Sequence, residues 1–288
     1  MEASELIKKV RKIEIKTRGL SRNIFAGEYH SSFKGHGMAF SEVREYHYGD
    51  AIRDIDWNVT ARLNKPYVKV FEEERELTVM LLIDLSASQG IGSRTRIKRE
   101  MITELAATLS FSAIQNNDKI GVLLFSDKIE KFIMPQKGRK HILRIIRELL
   151  EFEPESKGTD IPLALEYFTN MIKRHCTAFL ISDFNDKHPL KDALSIANKK
   201  HDLVAIRVYD QLESKLPNIG LVRIADTETG REQWLDTSSK ATRKAFEENY
   251  MERIIDLEDA FTKSGVEHVH IKSDEDYVKP LITLFKKR

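Results

Sequence analysis

Apolar residues in this chain fall into short dense runs, separated by longer stretches in which they recur every three or four positions. The segment YVKVFEEERELTVMLLID (67–84) joins an extended piece to a continuous apolar run closed by an aspartate, the pattern of a strand covered on both faces. KIGVLLFS (119–126), IEKFIM (129–134), CTAFLISDF (176–184) and DLVAIRVYD (202–210) also read as buried strands. Between them, TRIKREMITELAATLSFSAIQ, GRKHILRIIRELLEF, DIPLALEYFTNMIKR and PLKDALSIANKK carry the helical period. Strands alternating with helices predict an α/β domain built on a mainly parallel sheet with helices on both faces.

One neighbouring pair breaks the alternation. Only Asp127 and Lys128 separate KIGVLLFS from IEKFIM, which predicts a two-residue hairpin and an antiparallel edge strand. Residues 219–236 predict a second hairpin around Glu228, Thr229 and Gly230, followed by a long polar helix (238–264), a strand VEHVHIK and a closing helix from Asp274. At the other end, Leu6, Ile7, Val10 and Ile13 share one side of a helix over 4–18 whose remaining faces carry lysine and arginine. From there to Lys65 no period is sustained. The expected division is an N-terminal appendage over 1–74, with short strands, and an α/β domain over 75–288.

Composition narrows the function classes. The chain of 288 residues is 41% hydrophobic, enough for a sizeable core. Its 47 basic and 45 acidic residues nearly cancel, so the overall field gives no reason to expect nucleic acid as a partner. The single cysteine, Cys176, reads as a buried strand residue and points to a reducing compartment. No apolar run approaches the roughly 20 residues of a membrane span, and the N-terminus lacks a signal peptide's apolar stretch. The expected location is cytoplasmic.

The candidate chemistry lies at element junctions. Asp84, Ser86 and Ser88 stand at alternate positions where an apolar strand ends and a helix is about to begin; Thr159 in SKGTDIP and Asp183 in FLISDFND stand at two other junctions. Open parallel sheets bind ligands outside the carboxyl ends of their strands. Five oxygen donors without histidine or cysteine suit a hard cation, Mg²⁺ first, with Mn²⁺ or Ca²⁺ as alternatives. Two carboxylates and three hydroxyls leave such an ion incompletely neutralised, with a position open to an acidic side chain of a partner. Individually, each serine, threonine or aspartate also suits a helix N-cap, so a metal-free scaffold is the competing reading.

The DxSxS turn with its later threonine and aspartate resembles the metal-ion-dependent adhesion site of von Willebrand factor A domains. The alternating elements from about 77 to 210 resemble the same Rossmann-like α/β fold. The resemblance implies Asp84, Ser86, Ser88, Thr159 and Asp183 as metal ligands, and binding of a partner carboxylate in place of catalysis. GxGxxF, RxYxxGDxxRxIDW, AR and KPYVKVFEEE, spread over 35–74, are similar to the bacterial family called domain of unknown function 58. Such proteins accompany MoxR-type AAA+ ATPases, which implies an adaptor or co-chaperone role; some relatives carry membrane helices ahead of this region.

Other patterns carry less. Gly35 and Gly37 read as a turn, with no nucleotide-binding GK[ST] after them. Arg44, Arg53 and Arg62 with Asp50, Asp54 and Asp56 predict internal ion pairs, while Trp57 and Tyr46 offer anchors for a docking surface. His268 and His270 share a strand face with no third ligand nearby in the sequence, and read as exposed strand residues in preference to zinc ligands. A metal-dependent hydrolase or phosphoryl-transfer enzyme is the remaining alternative, and no nucleophile or general base stands out for it. The chain is therefore expected not to be an enzyme.

Overall fold

The computed structural model describes residues 37–74, 77–86, 92–93, 96–225 and 232–286. The helix expected over 4–18 lies outside them. The chain divides into two compact units, Phe33–Leu77 and one that takes in Thr78–Arg288.

In the smaller unit, strands β1 (Gly37–Glu45) and β2 (Tyr67–Glu74) form an antiparallel ribbon with a register shift between Phe40 and Glu42. Gly37 thus opens a strand, opposite Glu74, where a turn was expected. Between the strands lie a 3₁₀ turn (Ile52–Asp54) and helix α1 (Trp57–Leu63), whose N-terminal amides at Asn58 and Val59 donate to the Asp56 carboxylate. The Arg44 guanidinium donates in a two-pronged fork to Asp50, at 2.8 and 2.7 Å, and holds that carboxyl low, at about 2. Asp56 serves as a cap with Lys69 beside it, 3.7 Å away, where an arginine partner was expected. Trp57 and Tyr48 are exposed.

The larger unit is the expected α/β domain. Its chain order is β3 (Thr78–Asp84), β4 (Gly92–Ser93), β5 (Arg96–Ile97), α2 (Lys98–Gln115), β6 (Lys119–Phe125), β7 (Ile129–Gln136), α3 (Arg139–Glu151), α4 (Ile161–Met171) and β8 (Thr177–Ser182). It continues through α5 (Lys191–Lys200), β9 (Asp202–Tyr209), α6 (Gln211–Ser214), β10 (Leu221–Ala225), β11 (Glu232–Asp236), α7 (Lys240–Ser264), β12 (Glu267–Lys272) and α8 (Val278–Lys286). Six strands form one sheet in the order β12-β9-β8-β3-β6-β7, parallel except for β7. β10 and β11 pair with each other, antiparallel and apart from this sheet, while the expected turn residues Glu228, Thr229 and Gly230 lie outside the described residues.

The β6–β7 connection is one residue longer than expected. Phe125 pairs with Ile129, leaving Ser126, Asp127 and Lys128 as the loop, closed by a bond from the Ser126 amide to the Lys128 carbonyl. At the other end of the pair, Gly121 is held to hydrogen by its neighbours: a Cβ there would lie 2.6 Å from Met80 Sδ, 2.9 Å from the Ile133 carbonyl oxygen and 2.9 Å from the Pro135 nitrogen.

Helix α2 is buried on nearly every side, and its serines and threonines make this tolerable. The hydroxyls of Thr103, Thr108 and Ser110 donate to the carbonyls of Arg99, Glu104 and Ala106, one turn back, so burial does not strand these three donors, although the buried Ser112 hydroxyl has no partner among the described residues. A second layer on the opposite face combines Leu165, Phe168, Leu194, Leu257 and Phe261 with the inner residues of β3, β6, β8 and β9. Cys176 is buried as expected, its Sγ 3.4 Å from His201 Nδ1, and burial pushes the thiol up to about 12.

Candidate functional site

β3 comes first in the sheet yet lies inside it, with β6 on one side and β8 on the other. The chain leaves β3 for one neighbour and later returns to the other, so the carboxyl end of β3 is the topological switch point, where the flanking loops part and leave a crevice. Asp84 is the last residue of that strand, and it is fully buried.

Its environment is polar and closely fitted. Asp84 Oδ1 accepts the Ser86 amide at 2.8 Å, and the Ser86 hydroxyl also bonds to the carboxylate. Oδ2 accepts the hydroxyl of Ser182, the last residue of the adjacent β8, at 2.6 Å. Burial pushes the Asp84 carboxyl up to about 7, and the negative charge of Asp183 adds to the push against these hydrogen bonds. Asp84, closing β3, and Asp183, just past the adjacent β8, therefore lie close enough for their charges to act on each other.

Asp183 follows β8 and is itself buried. The turn that presents it contains Phe184 at φ +59°, a left-handed conformation costly for a bulky side chain. It is held there by the Phe184 amide donating to Ser182 Oγ at 2.9 Å and by an edge-on contact of its ring with Phe261, centroids 5.1 Å apart. The Asn185 amide donates to Asp183 Oδ1 at 3.1 Å, and the Arg207 Nε–H to the Asp183 carbonyl at 3.1 Å.

The principal addition to the expected donor set is Lys98. This first residue of α2 has a side chain only 1% exposed, and its ammonium lies 2.7 Å from Asp183 Oδ2 and 2.8 Å from Glu213 Oε1. Burial alone would drive its pKa down, but the two carboxylates overcome that and raise it, so the lysine is charged. Glu213 sits on the short helix α6, where a reciprocal cap with Asp210 fixes it; burial raises its own carboxyl against the pull of Lys98. Lys98 lies on the face of Met101, Ile102 and Leu105, spaced by three, four and seven positions, and all are buried. Set between Ile97 and Arg99 in a charged run, it reads as surface instead.

Thr159 lies on the third loop of this rim and is buried. The amide of the next residue, Asp160, donates to the Ser126 carbonyl at 3.0 Å, tying the loop to the end of β6, and Asp160 then caps α4 through the Leu163 amide. Gly158 leaves no room for a side chain beside Asp127, whose Oδ2 would lie 2.9 Å from a Cβ. Asp84, Ser86 and Asp183 are thus brought together, and Thr159 is placed on the neighbouring loop of the same edge. Ser88 lies outside the described residues.

These donors suit a hard cation. They are oxygens, two of them from buried carboxylates, and a cation between Asp84 and Asp183 would relieve the repulsion that adds to burial in pushing Asp84 up. Such an ion would share Asp183 with the Lys98 ammonium.

The expectation about His268 and His270 needs correction. Both side chains are about three-quarters covered, at 24% and 26% exposure, and a third donor, Glu258 of α7, stands 3.3 and 3.0 Å from their Nε2 atoms.

Comparison with known proteins gives relatives along nearly the whole chain. The uncharacterized protein Rv1480 of Mycobacterium tuberculosis is 25% identical over 283 residues, covering 97% of this chain and 88% of its own. The uncharacterized protein YeaD of Bacillus subtilis is 30% identical over 115 residues, covering 40% of this chain and 26% of its own. Among solved structures, an aerotolerance-related membrane protein from Bacteroides fragilis aligns at 13% identity and TM-score 0.48, over 74% of this chain and 100% of that one. The VWA domain of SpRpn10 aligns at 11% identity and TM-score 0.38, over 74% and 95%.

The cytoplasmic assignment is corrected by the company the fold keeps. Besides the B. fragilis membrane protein, an uncharacterized membrane spanning protein from Vibrio fischeri is among the similar structures. Among the described residues, no helix is long and apolar enough to cross a membrane. The description "Protein of unknown function DUF58" matches residues 42–254, well over half of the sequence, and the chain therefore belongs to the DUF58 family.

Proposed function

We propose that this chain is a protein-interaction module that holds a divalent cation at the carboxyl end of β3 and uses it to grip an acidic side chain of a partner protein. The VWA-like arrangement of the sheet, with its crevice at the switch point, suits such a module. The observation that carries the reading is the burial of two carboxylates, Asp84 at the end of β3 and Asp183 just past β8, whose like charges act on each other. A dication between them would offset that repulsion.

Asp84, Ser86, Ser88, Thr159 and Asp183 are the proposed ligands, and Mg²⁺ is the proposed ion because all five offer hard oxygens. With three neutral hydroxyls among them the ion keeps unneutralised charge, which a partner carboxylate satisfies on completing the coordination. The proposed partner system is a MoxR-type AAA+ ATPase, in keeping with the motifs of residues 35–74. On this reading the chain binds and presents, and is not itself an enzyme.

Capture of a purified MoxR-type ATPase by the full chain in Mg²⁺ and in EDTA tests the reading. Capture in Mg²⁺ that is lost in EDTA, and lost in both buffers with Asp84→Ala or with Ser86→Ala/Ser88→Ala, is the expected result. Equal capture in the two buffers would remove the ion from the mechanism. Addition of Mg²⁺ or Mn²⁺ to the protein alone should raise its melting temperature with concentration, since a ligand selective for the native state must stabilise it.

A further inference from the structure

The second constellation lies between α7 and the edge strand β12, and its chemistry differs from that of the oxygen crevice. Helix α7 ends at Ser264, and Gly265, at φ +67°, turns the chain directly into β12, so the helix and strand run back alongside each other. Glu258 lies six residues before the helix end, roughly 9 Å along its axis at 1.5 Å per residue. His268 and His270 fall within the first four residues of the strand at ~3.3 Å each, and alternate positions turn them to the same face. Three donors from a short stretch of sequence thus meet at the same height.

Packing fixes the two rings. His268 stacks on Phe261, one turn after Glu258, with centroids 4.7 Å apart and planes 23° from parallel. His270 stands edge-on to His268, with centroids 5.4 Å apart. Glu258 uses a different oxygen for each ring: Oε1 is 3.0 Å from His270 Nε2 and Oε2 is 3.3 Å from His268 Nε2. The three ligand atoms lie within 4.8 Å of one another.

We propose that Glu258, His268 and His270 form a binding site for a divalent transition-metal ion, Zn²⁺ in the first place, separate from the oxygen site at β3. Tetrahedral zinc with bonds of about 2.0–2.1 Å sets neighbouring ligand atoms roughly 3.3 Å apart, near the distance of each Nε2 from its own Glu258 oxygen. Two imidazoles and one carboxylate select zinc, nickel or copper over magnesium. Three protein ligands leave a fourth position to water, reached from the partly exposed side of the cluster. Arg207, opposite His270 on β9, opposes binding, and its guanidinium is engaged by the Asp183 carbonyl and the Tyr250 hydroxyl.

Among the described residues, the other histidine-containing cluster, Asp160, Asp186 and His188, sets one imidazole beside two carboxylates, a harder donor set that suits zinc less well.

The test uses the full chain, stripped of metal with EDTA and desalted. Titration with Co²⁺ should give the visible d–d absorption of a tetrahedral site, and Zn²⁺ should displace it at one equivalent. Zn²⁺ competition against a chromophoric chelator should show binding weakened at least ~10–100-fold in His268→Gln and in His270→Gln, taking the loss of a ligand to cost no less than the loss of its supporting partner. Asp84→Asn should bind zinc as the wild type does, which separates this site from the oxygen crevice. A wild type with no tetrahedral Co²⁺ spectrum, or zinc affinity unchanged in the two histidine variants, overturns the proposal. Zinc binding lost in Asp84→Asn and kept in His268→Gln would reassign the ion to β3.

Discussion

Replacing Lys98 with methionine tests the electrostatics of the crevice directly. Methionine keeps an unbranched chain of similar length in the same buried slot, so the change removes a charge and little volume. The ammonium lies 2.7 Å from Asp183 and 2.8 Å from Glu213, and its side chain is almost wholly buried. Removing one partner of a buried ion pair leaves an uncompensated charge and costs about 3–5 kcal/mol. Here one ammonium serves two carboxylates, which puts the expected loss at the upper part of that range at pH 7. Urea unfolding followed by circular dichroism in EDTA measures it. Adding Glu213→Gln to Lys98→Met removes one orphaned charge while keeping an oxygen for the Asp210 amide, and should recover part of the loss; the double-mutant cycle isolates that coupling. Mg²⁺ should stabilise Lys98→Met more than the wild type, since it replaces the missing charge without competing with an ammonium for Asp183. A loss below about 1 kcal/mol would mean that water reaches the cluster, and the argument from burial would fall.

Two further outcomes follow from the geometry. In metal-free protein burial and then Asp183 raise the Asp84 carboxyl to about 7, so the folded state holds its proton more tightly; this contribution is complete below pH ~4 and lost as pH rises toward 7. Stability measured from pH 4 to 8 should show that decline, Asp84→Asn should flatten it, and a decline of equal size in the variant would assign it to other groups. Gly121→Ala places a methyl against the backbone at Ile133 and Pro135 as well as Met80, and should destabilise by about 1–3 kcal/mol in thermal melts; an unchanged melting temperature would show that β7 yields freely.

The strands that carry the crevice were legible because burial on both faces leaves an unbroken apolar run. β3 and β8 each announce themselves this way, and the polar residue closing each run marks the rim, hence Asp84 and Asp183. The exact β6–β7 connection was not legible, because Ser126 can end a strand or begin a loop equally well, and only the pairing of Phe125 with Ile129 decides. Lys98 was hidden for a different reason. A lysine's apolar stem lets it sit on a buried face, and the carboxylates that make this tolerable stand 85 and 115 positions away in the chain. The histidine pair was visible, but its third donor belongs to a neighbouring helix whose facing side is set by packing. Residue type named the chemistry in each case, and tertiary structure supplied the missing partner.

The interior position of the first strand bears on how the protein is made. Ser182, which closes the hydrogen-bond cradle of Asp84, lies 98 residues further along the chain. At roughly 5–20 residues per second, a ribosome takes about 5–20 s to synthesise that interval. During that time β3 can pair with β6 and be covered by α2 and α4, but its other edge, which β8 later fills, stays open. The strand that anchors the crevice in the finished molecule is thus, during synthesis, a natural target for chaperones and a hazard for aggregation.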